Sequence, residues 1–197
     1  PAAMLFNSFT FILFFLIVYL MYRNLDHKGQ NLLLLIGSYL FYMSWNWKFL
    51  SLIVLSTVVD YFCGIKVYTS QTDFRKKCYL ALSVVVNLGV LAFFKYYNFF
   101  AENLVALTST FGWTPGDVTL DIILPVGISF YTFQTMSYSI DIYRKEIKPE
   151  RNILNFSLFV AFFPQLVAGP IERAKNLLPQ IQVPRTISRD LIQKGLW

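Results

Sequence analysis

Apolar residues run in blocks along this chain, separated by short polar or charged intervals. The blocks lie near 4–22, 31–45, 49–65, 78–98 and 122–143, and a sixth runs from about 152 to 169. Several reach or approach the roughly 20 residues that cross a bilayer as a helix, and their spacing leaves no polar faces of the kind soluble core helices carry. The expected fold class is all-α: a polytopic transmembrane helical protein with about five spanning helices plus a broken or re-entrant segment. No repeat, inverted copy or low-complexity stretch is visible, so 1–197 reads as a single membrane domain without a linker.

The first block, Met4–Tyr22, has no basic stretch before it and no small-residue cleavage site after it, which predicts a retained helix and not a signal peptide. Phe99–Phe111 is too brief and too polar to span and predicts a short interfacial helix. In the sixth block, FSLFVAFFPQLVAGPIERAKNLLPQ at Phe156–Gln180, Pro164 and the Gly169-Pro170 pair interrupt the apolar run, and charges begin at Glu172. A broken or re-entrant helix fits that pattern. Ile187–Trp197 predicts the start of a surface helix with Ser188 as its N-cap, and the lack of any capping signal at Trp197 suggests a chain cut short.

Composition strengthens the membrane reading: 56% of residues are hydrophobic, 18% aromatic and only 14% charged, with a mean hydropathy of +0.51. A soluble domain does not have this profile. The net charge of +6 is topological and does not indicate nucleic acid. Lys and Arg gather in the loops Arg23–Gln30, Lys66–Lys77 and Arg144–Arg151, whereas Phe99–Asp121 holds Glu102, Asp117 and Asp121 and no basic residue. The alternation follows the positive-inside rule and predicts an extracytoplasmic N-terminus. Trp45, Trp47 and Trp113 fall where headgroup-level aromatics are expected.

The candidate chemistry concentrates in LPVGISFYTFQTMSYSIDIYR, Leu124–Arg144. On a helix turning about 100° per residue, Tyr131, Gln134, Thr135 and Tyr138 fall within about 100° of one another, with Asp141 just beyond. Polar groups in hydrocarbon must face protein or a wet cavity, so this seam reads equally as interhelical hydrogen bonding or as the lining of a substrate path. Asp60 and Lys95, inside apolar blocks, read first as a structural pair or as snorkelling side chains. Asp141 and Arg144, three residues apart, predict a local ion pair. Cys63 and Cys78 read as small apolar residues, and His27 as a solvated loop residue. Neither metal-ligand spacing nor a phosphate loop, paired catalytic carboxylates or a Ser/His/Asp set is detectable.

Two of these stretches, LPVGISFYTFQTMSYSIDIYR and FFPQLVAGPIERA, resemble the membrane-bound O-acyltransferase family. The likeness is to the bacterial branch that contains the alginate O-acetylation membrane subunit and the cellulose and peptidoglycan O-acetylases; the D-alanyl transfer protein of teichoic acids is more distant. NLLLLIGSYLFYMSW (Asn31–Trp45) and FFKYYNFF (Phe93–Phe100) fit the same branch, and the likeness covers nearly all of 4–180.

The resemblance implies a multi-pass protein of the bacterial inner membrane. It would move an acyl group, acetyl in the first instance, from a cytoplasmic thioester donor such as acetyl-coenzyme A toward an extracytoplasmic polysaccharide hydroxyl such as alginate. An extracytoplasmic acetyl-transfer partner protein or an exported glycan is the implied partner, with membrane lipid around it and no bound cofactor or metal. Family members are more than twice this length and carry their functional histidine in the second half, so the chain reads as an N-terminal part with no catalytic residue of its own, inactive alone. Tyr131, Gln134, Tyr138, Gln165 and Arg173 are the candidates for tunnel or donor-side contacts. Arg173 could meet a coenzyme A or lipid phosphate, and some relatives carry a histidine where this chain has Gln165. The competing readings are a transporter or channel with a midplane polar site and, within the family, D-alanyl transfer.

Overall fold

A computed structural model describes residues 4, 7–110, 124–125, 127–169 and 172–185. Every regular element among them is a helix: α1 (Phe9–Arg23), α2 (His27–Met43), α3 (Trp47–Thr69), α4 (Asp73–Thr110), α5 (Ile128–Tyr143), α6 (Ile153–Ala161), α7 (Phe163–Ala168) and α8 (Ala174–Gln182). The expected surface helix at Ile187–Trp197 lies outside the described residues, as does Trp113.

Local chemistry sets the helix starts. Ser8, Asp26, Asn46 and Asn152 cap α1, α2, α3 and α6, each side chain accepting a backbone N–H of the first turn. These are the residue types whose short polar side chains satisfy the orphan donors of a helix N-terminus. α5 begins differently. Gly127 sits at φ 76°, a left-handed conformation that glycine adopts without a Cβ penalty. Gly127 therefore fixes the start of α5, which has 16 residues and begins later than the apolar block does.

α3 and α4 are the two described helices long and apolar enough to cross a membrane; α1 and the Ile153–Gln165 stretch are apolar but shorter. Among the described residues the expected count of about five spans is thus not confirmed. α2 opens on the polar run His27–Asn31, and α5 is shortened by its glycine. The interfacial helix expected at Phe99–Phe111 is not separate: α4 runs unbroken for 38 residues, about 57 Å at 1.5 Å per residue, against a hydrocarbon thickness of about 30 Å. No proline or glycine stands between Leu91 and Thr110 to end it.

α5 lies at the centre, packed on α3, α4, α6 and α8. Its Tyr131 and Tyr138 are fully buried with Phe156 and Phe159 of α6 and Ile53 of α3. Lipid tails are as apolar as leucine, so close packing and hydrogen bonds must hold such helices together. Gly64 gives the closest approach: a Cβ there would lie 2.8 Å from Tyr138 Cε1 and 3.0 Å from Ile142 Cδ1. On the opposite flank Phe11 and Phe14 of α1 meet Phe41 of α2 and Phe163 of α7 with ring centroids 5.6–6.2 Å apart.

The expected break in the sixth block is present. Phe162 takes φ −55°, ψ 106°, and Pro164 follows in the first turn of α7. That takes main-chain groups on both sides of the break from their helical partners, and neighbouring helices supply two of them. Phe163 N–H donates to Ser38 Oγ of α2 at 3.2 Å, and Phe159 C=O accepts from Gln134 Nε2 of α5 at 2.8 Å.

Candidate functional site

The polar face of α5 is wider than the sequence reading made it. Adding Thr132 and Ser139, both fully buried, extends the arc from about 100° to about 160° of the helix. Its middle faces Asp60 of α3 and Ser83 and Asn87 of α4. Ser83 Oγ donates a short hydrogen bond to Asp60 Oδ1, Asn87 Nδ2 donates to Asp60 Oδ2 at 2.7 Å, and Ser139 Oγ lies 3.4 Å from Oδ1. Thr135 Oγ1 donates to Asn87 Oδ1 at 3.2 Å. Three helices thus share one carboxylate, and all five side chains are buried.

Of the two readings of Asp60 and Lys95, a structural pair or snorkelling side chains, the pair does not form. The carboxylate is held by neutral donors, while Lys95 is exposed with its Nζ 5.4 Å from the ring centroid of Tyr96. Hydroxyl and amide donors can be packed against an apolar core without desolvating a second full charge, which makes them the less costly partners. Asp141 and Arg144 also do not pair; among the described residues the ion pair is Lys76–Asp73. Asp141 is buried and its Oδ2 has no hydrogen-bond partner among the described residues, whereas Arg144 is exposed in the cap of α5.

Toward the basic-loop end, Tyr138 OH accepts from Glu150 N–H at 3.0 Å, and Glu150 in turn accepts from Gln182 Nε2 of α8 at 2.5 Å. His27 is not merely solvated: its Nε2 lies 2.8 Å from Ile181 C=O, and Asn31 Nδ2 donates to the same carbonyl at 3.0 Å. Both fasten α8 to α2. Toward the other end, the buried hydroxyls of Ser56, Tyr131 and Thr132 have no hydrogen-bond partner among the described residues. Such groups cost about 1–3 kcal/mol each when left unsatisfied, so they mark where a polar ligand or water gains most.

Over 194 residues, 98% of its length, the chain is 42% identical to the probable alginate O-acetylase AlgI of Pseudomonas aeruginosa. It is 41% identical over 195 residues to the protein of that name in Azotobacter vinelandii. The chain belongs to the membrane-bound O-acyltransferase family. A peptidoglycan O-acetyltransferase of Helicobacter pylori is 34% identical over 209 aligned positions, 91% of this chain. The chain spans about two fifths of the length of these relatives, from 37% to 39%. No protein-family profile matches it, and neither does any solved structure.

In this acyltransferase-family chain the five site candidates do not converge. Gln134 is tied to the α6–α7 break and Tyr138 to Glu150. Tyr131 is buried with a free hydroxyl. Gln165 is 8% exposed and its Nε2 has no hydrogen-bond partner among the described residues; it lines a cavity of about 400 Å³ with Glu172, Asn176 and Gln180. Arg173 is exposed at the N-cap of α8, makes no side-chain capping hydrogen bond and does not line that cavity. Among the described residues no group of three or more His, Cys, Asp and Glu could hold a metal. Cys63 is buried and Cys78 exposed, both free.

Ser83, Asn87, Ser139, Ser38 and Glu150 were not singled out from the sequence. For the first pair a signal existed: Ser83 and Asn87 stand four apart on one face of an otherwise apolar helix. Ser38 carried no such signal, because its role depends on a helix break 125 residues away.

Proposed function

We propose that the natural protein carrying this sequence is an O-acyltransferase of the bacterial inner membrane, with its N-terminus outside the cytoplasm. It takes an acyl group, acetyl in the first instance, from a cytoplasmic thioester such as acetyl-coenzyme A and delivers it toward a hydroxyl of an exported polysaccharide. The observation that carries this reading is the likeness along 98% of the chain to proteins named O-acetylases. A thioester is already activated, so transfer needs a base for the acceptor hydroxyl, orientation and exclusion of water.

The residues here suit the last two tasks. Tyr131, with its buried and unengaged hydroxyl, and Gln165, with its free amide, are the contacts to an acyl group or its carrier. Gln134 and Tyr138 are positioning residues, their polar atoms committed to the frame. Arg173 is a candidate for donor phosphate at the exposed end of α8. No histidine reaches the polar core, since His27 docks α8, so the base is not assigned to this chain.

The test supplies radiolabelled acetyl-coenzyme A to the cytoplasmic face of vesicles holding the full natural protein and its glycan acceptor. Label in the glycan on the far side is expected. Tyr131→Phe should lower turnover about tenfold, which is about 1.4 kcal/mol of transition-state stabilisation, without shifting the melting temperature. Uptake of an intact solute with no labelled glycan would instead favour a transporter.

A further inference from the structure

Between α1, α2, the α6–α7 break and α8 lies a cavity of about 320 Å³ that the acyl-transfer reading does not use. Its walls are apolar, with Phe15 and Val18 of α1 facing Leu158 and Phe163. One end is polar, at Tyr22, Gln180 and Arg185. Phe15 and Tyr22 are seven residues apart on α1, so the groove runs about 10 Å along the helix axis. Phe15, Leu16 and Leu20 of the same helix are exposed, so this flank faces hydrocarbon when the helix is in a bilayer.

Arg185 is held in place by neutral atoms. Its Nε donates to Gln180 C=O at 3.0 Å, Nη1 to Tyr22 OH at 3.2 Å and Nη2 to Asn31 Oδ1 at 2.7 Å. No carboxylate pairs with it among the described residues. A guanidinium has five N–H donors, so two remain, and its charge is oriented but uncompensated. It stands at the end of the bundle where the basic loops after α1 and α5 meet α8, the level at which Arg side chains meet lipid phosphate.

We propose that an anionic phospholipid of the basic-loop leaflet occupies this site, its phosphate on Arg185 and Tyr22 and one acyl chain in the groove along α1. A free phosphate gives no reason for the apolar wall, and a neutral lipid gives none for a fixed guanidinium without a counter-charge. The groove shares Gln180 with the cavity beside Gln165, but Arg185 and the α1 wall have no part in the acyl-transfer reading, so either proposal can fail without the other.

The experiment uses the full natural protein in mild detergent, incubated with phosphatidylglycerol or phosphatidylcholine carrying a photoactivatable acyl chain. Bound lipid is counted by native mass spectrometry and cross-links are mapped to peptides. Phosphatidylglycerol should be retained about fivefold over phosphatidylcholine, as expected for one Arg against an anionic headgroup, with cross-links on Phe15–Tyr22. Arg185→Gln should reduce it to the phosphatidylcholine level and Arg185→Lys should keep most of it. Val18→Trp, which fills the groove, should lower both lipids, with melting curves confirming that each variant is folded. Equal retention of the two lipids, no effect of Arg185→Gln in a folded variant, cross-links away from α1, or full displacement by glycerol phosphate would each overturn the proposal.

Discussion

Replacing Gln134 with leucine separates two roles that the sequence left equal. In the structure Gln134 Nε2 donates at 2.8 Å to the carbonyl of Phe159, whose normal helical donor, Phe163 N–H, bonds Ser38 instead. Gln134→Leu keeps the volume roughly constant but leaves that carbonyl without a donor, next to a side chain with no solvent exposure. An average membrane hydrogen bond contributes about 0.6 kcal/mol because the freed groups find other partners. Here the helix's own donor is already committed to Ser38, so the loss should approach the desolvation cost of an orphaned buried carbonyl, about 1–3 kcal/mol. For a domain of about 200 residues that lowers the melting temperature by roughly 2–12 °C. Ser38→Ala acts on the same break, so the double variant should deviate from additivity by more than about 0.5 kcal/mol. Thermal stability in detergent, read beside acyl transfer per folded molecule in the full natural protein with Ile140→Leu as control, decides the matter. Unchanged melting with a tenfold loss of turnover would refute the structural assignment and restore Gln134 to the substrate path.

Asp60→Leu should destabilise more than Asp60→Asn, by about 1–3 kcal/mol, because leucine leaves Ser83 and Asn87 without an acceptor; equal melting temperatures for the two would show that the network contributes nothing. Gly64→Ala should cost about 1–3 kcal/mol by forcing Tyr138 and Ile142 aside, and a neutral outcome by the same melting assay would mean that α3 and α5 pack less closely than described. In a cysteine-free background, a cysteine at Thr110 should react with an impermeant maleimide in intact cells and one at Ser70 should not; reversed labelling would invert the proposed orientation. The 197-residue chain by itself, purified into lipid, should neither transfer nor hydrolyse an acyl thioester above a heat-inactivated control, since no histidine reaches its polar core.

The helical class followed from the sequence because block length and composition report directly on the solvent a helix needs; the caps Ser8, Asp26 and Asn46 were seen only in the structure. The break at Phe162–Pro164 was legible from local chemistry: proline removes a donor wherever it stands. Half of the α5 polar face was also legible from angular spacing. What spacing could not give was the partner of each polar group. Asp60 sits 23 residues from Ser83 and 79 from Ser139, and only the packing of α3, α4 and α5 makes them neighbours. The same holds for Gln134, whose periodicity suited a tunnel wall and a helix tie equally until the fold set it against Phe159, and for His27, which became a docking contact because α8 folds back onto α2. Periodicity determines which side of a helix is polar. The tertiary structure alone decides whether that side meets another helix, a broken backbone or a ligand, because hydrogen-bond partners in a membrane are set by which helices pack together and not by distance along the chain.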